Sequence, residues 1–271
     1  MSTNQAASLA AGLPKLLLAA ERLAHTAAPG AHGRRRAGPG ESFWQFRDFR
    51  DGDDSRRIDW RRSASSDRLL VREREWETQA SVAVGFADTP GLAFRSSTAL
   101  PTKRDRLILI LLAVSFLLLE AGERVALDGV TPPMTGRSAL PKLALALAAG
   151  GSARSGEKSR KIFFGDFLMP SPVFSAPPGG AVVQILDPAE CDFPYNGRIM
   201  FTGFAGETPI EAPRAENFAQ TYRARLAAQR AEIVAAAQRS GQTALFHRTD
   251  SSPALVLAAL HQALSGALPK P

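Results

Sequence analysis

The chain has 271 residues, enough for one large core or for a core with an appendage. Hydrophobic residues make up 45%, which excludes a disordered chain, and Lys+Arg exceed Asp+Glu by 33 − 26 = 7. That balance suits an acidic partner, although basic and acidic residues are interleaved along most of the chain, as on a solvated or self-paired face.

Residues 9–26 read as a helix with Leu13, Leu16, Leu17, Ala20 and Leu23 on one face. Lys15, Glu21 and Arg22 interrupt the apolar character there, so no signal peptide is expected. Residues 27–40 are loop, rich in Gly and Pro and carrying Arg34-Arg35-Arg36. This basic arm is a candidate for binding anions or a partner, or else a solvated linker.

Residues 41–77 form the most distinctive stretch. Phe43, Trp44 and Phe46 precede an Asp-Gly-Asp-Asp turn, then Arg57-Ile58-Asp59-Trp60, then a strand-like run over 69–76. From Asp51 to Arg62, acids and arginines alternate. Arginine and carboxylate form directional forks. One expectation is an internal network in which Asp53, Arg57 and Asp59 pair and cap neighbouring amides, with Trp60 and Phe43 pinning the module down. The other is a docking surface, since Trp and Arg dominate binding hot spots. The candidate residues for either role are Arg47, Asp53, Asp54, Arg57, Asp59 and Trp60.

Strands are expected over 81–87, 124–128, 161–165, 181–186 and 243–247, with an edge strand over 198–202. Helices are expected over 103–121, 138–149, 215–239 and 252–265. The helix over 103–121 is apolar nearly all round and should be buried. Its apolar run, 107–119, falls short of the roughly 20 residues that a membrane span needs, so no direct membrane insertion is expected. The alternation predicts an α/β fold, a doubly wound and mostly parallel sheet, with an N-terminal appended module that contains short β structure. The boundaries read as 1–40 for the first helix and arm, 41–78 for the signature module and 79–271 for the α/β domain.

Gly40-Glu41-Ser42-Phe43, Arg47-x-Phe49, Gly52-Asp53-Asp54, Arg57-Ile58-Asp59-Trp60 and Leu69-x-Val71-x-Glu73 together resemble the domain of unknown function 58 family. Further on, Phe163-Phe164-Gly165-Asp166-Phe167 and Ile185-Leu186-Asp187-Pro188-x-Glu190 resemble later strands of that family. The resemblance departs at Ser65, where an arginine is usual, and in lacking N-terminal membrane helices. It implies a von Willebrand factor A-like domain and a partner of the MoxR-type AAA+ ATPase class.

Such a domain holds Mg²⁺ through a D-x-S-x-S run and a distant Thr and Asp. Here the run reads Asp88-Thr89-Pro90-Gly91-Leu92, and neither Pro90 nor Leu92 offers a side-chain oxygen. Asp88 and Asp166 remain as positions of a degenerate site, and tight divalent binding is not expected.

No phosphate loop, G-x-S-x-G run or metal-ligand spacing among His25, His32, His247 and His261 supports an enzyme. Cys191, the one cysteine, stands beside Asp192, which disfavours a thiolate. Its solitude rules out an intrachain disulfide and fits a reducing, cytoplasmic compartment. The expected function is a non-enzymatic adaptor without a cofactor of its own, acting with the ATPase in remodelling or assembly. The alternative is a nucleic-acid- or anion-binding module that uses the basic arm.

Overall fold

A computed structural model describes residues 3–27, 43–50, 54–65, 68–74, 81–149, 159–168, 178–203 and 206–266. The chain divides into two compact units, Met1–Ala31 with Ala80–Pro271, and His32–Gln79.

The larger unit is built on five parallel strands: β3 (Ser81–Phe86), β4 (Arg124–Leu127), β5 (Arg160–Gly165), β6 (Ala181–Leu186) and β9 (Thr243–Arg248). Their order is β4-β3-β5-β6-β9. Counted within the unit this is 2-1-3-4-5, a doubly wound order whose direction of winding reverses between β3 and β5. All six residues of β6 are buried, as expected for an interior strand covered on both faces.

Alternation along the strands sorts the helices. Val82, Val84, Ile162, Phe164, Val183 and Ile185 point to one face. That face is covered by α3 (Lys103–Glu120), α4 (Ala139–Ala149) and α7 (Pro253–Gly266), and α1 (Thr3–Ala27) packs on these three helices. On the other face Val182 and Phe167 meet Ile233 of α6 (Ala219–Arg239). A short helix, α5 (Pro188–Asp192), and a two-stranded antiparallel ladder, β7 (Ile199–Phe201) with β8 (Ile210–Ala212), lie between β6 and α6.

One expectation needs correcting. The first helix is not part of an appended module. Ala20 and Ala24 are fully buried, Leu13, Leu16, Leu17 and Leu23 pack on the core, and α1 contacts α3, α4 and α7. The His25 ring sits edge-on to Phe116 of α3, with centroids 5.4 Å apart. Small residues at the seam let the helices approach closely, and the α3 surface is apolar enough to need a cover there.

In the smaller unit β1 (Phe43–Asp48) pairs antiparallel with β2 (Leu70–Arg74). Ile58 forms an isolated antiparallel bridge to Val71, and both side chains are buried. Between the strands lie a 3-10 turn (Ser55–Arg57) and the one-turn helix α2 (Trp60–Ser63).

Candidate functional site

Parallel strands place all their carboxyl ends on one edge, and the crevice at the reversal of winding is where such sheets present their sites. Asp88 follows β3, Asp166 follows β5 and Asp187 follows β6. Facing them is Lys103, the first residue of α3. Its helix start is fixed by a capping box, in which Thr102 accepts from the Asp105 amide and Asp105 accepts from the Thr102 amide. Lys103 shares a helix face with Leu107, Ile110, Leu111 and Val114, all buried, so the side chain is carried inward.

Lys103 is 0% exposed. Its Nζ lies 3.2 Å from Asp166 Oδ2 and 2.6 Å from Glu190 Oε1. The Phe94 ring centroid stands 5.9 Å from the same nitrogen. Thr89 Oγ1 donates to Asp166 Oδ2 at 3.2 Å. Glu190 Oε2 accepts from the Asp187 amide at 2.8 Å. Asp187, itself buried, accepts from the amides of Ala189 and Ser96, each at 2.9 Å. Loops after β3, β5 and β6 are thus stitched together around one ammonium. Burial pushes the Glu190 carboxyl above its ordinary range, against the opposing pull of Lys103.

The Mg²⁺ expected of a von Willebrand factor A-like domain does not fit these residues. The Asp166 carboxylate is engaged by Thr89 and Lys103, and Asp88 is paired with Arg104. Pro90 and Leu92 contribute no oxygen, and Leu92 is fully buried in the core. Among the described residues no group of three His, Cys, Asp or Glu side chains could hold an ion.

Further along the same edge Arg248 spans Asp192 and Asp250, with contacts of 2.8 Å and 2.9 Å, which ties α5 to the end of β9. Arg106 donates to the Thr249 carbonyl at 2.8 Å. His247 is buried nearby, with no partner for Nε2. Cys191 is half-buried. Arg230 Nη2 stands 3.4 Å from its sulfur, yet burial raises the thiol above its ordinary value, so it is not an activated nucleophile.

The signature residues fall in the smaller unit. Asp54 caps the 3-10 turn by accepting from the Arg56 amide at 3.0 Å. Asp59 caps α2 by accepting from the Arg62 amide at 3.2 Å. Ser63 Oγ donates to the Asp59 carbonyl and accepts from the Leu70 amide, linking α2 to β2. Arg47 pairs opposite Val71 in β1. Its side chain and that of Arg57 lie outside the described residues, as do Asp53 and the Arg34–Arg36 arm.

Trp60 does not pin the module. It is 62% exposed at the first position of α2. Hydrogen bonds donated by the Arg62 and Leu70 amides to Asp59 and Ser63 hold that turn in place without the indole, and Ile58 against Val71 supplies the buried contact.

Lys103 and Glu190 were not singled out from the sequence as a pair. The available signal was a lysine in register with Leu107, Ile110 and Leu111 on a helix apolar all round. A cation at such a position must find a buried carboxylate.

Residues 45–163 match the family model described as "Protein of unknown function DUF58". Over that segment the chain is similar to the family that its signature resembles. The matched segment takes in β2, β3, α3, β4 and α4 and most of β1. Neither the curated proteins nor the solved structures yield a match.

Proposed function

We propose that this chain is a non-enzymatic adaptor that works with a MoxR-type AAA+ ATPase in chaperone-like remodelling or assembly, and that its larger unit is a von Willebrand factor A-like domain. Family resemblance suggests the ATPase, and the doubly wound sheet supports the domain reading. The observation that carries the adaptor reading is Trp60. A large aromatic at 62% exposure stands among the exposed Arg56, Arg61 and Arg62, within the family-matched segment. Aromatic and arginine side chains supply most of the energy at protein interfaces. The charged groups at the sheet edge, by contrast, are engaged with one another. On this reading ATP and Mg²⁺ belong to the partner, and the complex forms in the cytoplasm.

The test is recovery of the tagged full chain from its own lysate with and without ATP, read by mass spectrometry, beside a Trp60→Ala variant. An AAA+ ATPase should be recovered in a nucleotide-dependent way. The variant should bind it at least about tenfold more weakly, with an unchanged melting temperature. Recovery of no ATPase, or equal recovery by the variant, would count against the reading.

A second reading draws on the same exposed arginines, with Arg68 nearby. Nucleic acid would be held there by phosphate contacts, and its binding would fall steeply with salt.

A further inference from the structure

The geometry points to the Lys103 ammonium as the resident cation of the sheet-edge crevice, a covalently tethered substitute for a divalent ion. This stands apart from the adaptor reading, because it concerns the larger unit alone.

Lys103 Nζ lies at the carboxyl ends of β3 and β5, where the winding reverses and an open α/β sheet would otherwise leave a crevice for a ligand. The atoms that converge on it are oxygens of two side chains: Asp166 Oδ2 at 3.2 Å and Glu190 Oε1 at 2.6 Å. Asp166 and Glu190 are 2% and 10% exposed at the side chain. Thr89, a third oxygen-bearing side chain, binds Asp166 directly. Two buried carboxylates with a hydroxyl beside them form a cation site by composition. Such a site cannot stay empty without a large electrostatic cost.

What fills it is an ammonium, a compact point charge with three donors, delivered from the start of α3. Being part of the chain, it is present at an effective concentration that no free ion matches, and it is not removed by chelators. The loops after β3, β5 and β6 are therefore held in one arrangement whether or not a divalent ion is in solution.

Removing the tethered charge should uncover the site. Small divalent ions are often held by one or two protein carboxylates, with water completing the shell. Manganese(II) is a suitable probe because the free ion is counted directly by its paramagnetic resonance.

The full chain would be titrated alongside Lys103→Ala and the double variant Lys103→Ala with Asp166→Asn, each with melting curves with and without the metal. The parent protein should show no saturable binding and no shift in melting temperature. Lys103→Ala should bind one manganese ion saturably and melt higher in its presence, since an ion that binds only the folded state stabilises it. The double variant should lose both effects.

Saturable binding by the parent that depends on Asp166 would overturn the proposal, because the ammonium would then be displaceable. So would a Lys103→Ala protein, folded or not, that neither binds manganese nor regains a melting transition with it.

Discussion

At His247 the fold works against a charge. Burial lowers the imidazole to about 4, with help from the Arg106 guanidinium and partial opposition from Asp250. The ordinary value is about 6.5, so the neutral ring favours the folded state above that pH. The contribution disappears as pH falls through the folded value near 4. The loss between pH 6.5 and pH 4 amounts to about 3 kcal/mol. Glu190 has the opposite sign: its raised carboxyl favours the fold in acid and loses that effect as pH rises. The comparison that isolates His247 is therefore a difference. Urea unfolding of the parent and of His247→Phe between pH 7 and pH 4 should show a steeper acid loss in the parent. Parallel profiles would rule the ring out as the cause. None of this was legible beforehand, because nothing about Thr-Ala-Leu-Phe-His-Arg announces which alternate face is covered most deeply at its end.

Individual elements were far more legible than their contacts. Every strand of the large sheet has a boundary within a residue of the expected one, because each is a short apolar run closed by Asp, Gly or Pro. β8 and α5 were missed. Three residues are too few for a period to register, and the α5 turn is set by the Asp187 capping box rather than by an apolar face. Packing between strands has its own requirement at Gly180, just before β6. A Cβ there would lie 2.1 Å from the Lys161 carbonyl oxygen, which is main chain of β5 and cannot swing aside. Gly180→Ala should therefore cost roughly 2 kcal/mol or more through displacement of the β5–β6 pairing. Its urea midpoint would fall well below that of Gly122→Ala. In that protein the added methyl meets nothing within 4 Å, so only the positive φ of 83° is penalised. Similar midpoints in the two proteins would contradict the clash.

For the molecule as a whole, composition and alternation gave the class of fold but misplaced its first helix. The signature stretch interrupts the chain between α1 and the sheet, and a linear reading takes everything before that interruption as part of the appendage. What decides the matter is the apolar surface of α3, α4 and α7, which only a further helix can cover. The seam is testable on the intact chain. Ala24→Asp puts a carboxylate where the side chain is 0% exposed and should cost on the order of 4 kcal/mol. Leu18→Asp, at a position 48% exposed on the same helix, should change stability by no more than about 0.5 kcal/mol. Equal losses in thermal melts of the two proteins would remove α1 from the core. The candidate site divides in the same way. Asp166 was visible as a strand-terminal residue, whereas Glu190 lies within the short α5 and the cation came from the start of a helix remote in sequence, and neither was.

The contact between α1 and α7 bears on the order of events during synthesis. The helix made earliest among the described residues leans on the one made latest, so the ribosome holds the larger unit incomplete until almost all of it has emerged. Until then the α1 seam and the apolar side of α3 lack that neighbour. Pairings so distant along the chain are slow to form and leave sticky surface waiting. A nascent chain arrested before Pro253 should accordingly remain a substrate for holdase chaperones and proteases, whatever the finished protein goes on to do.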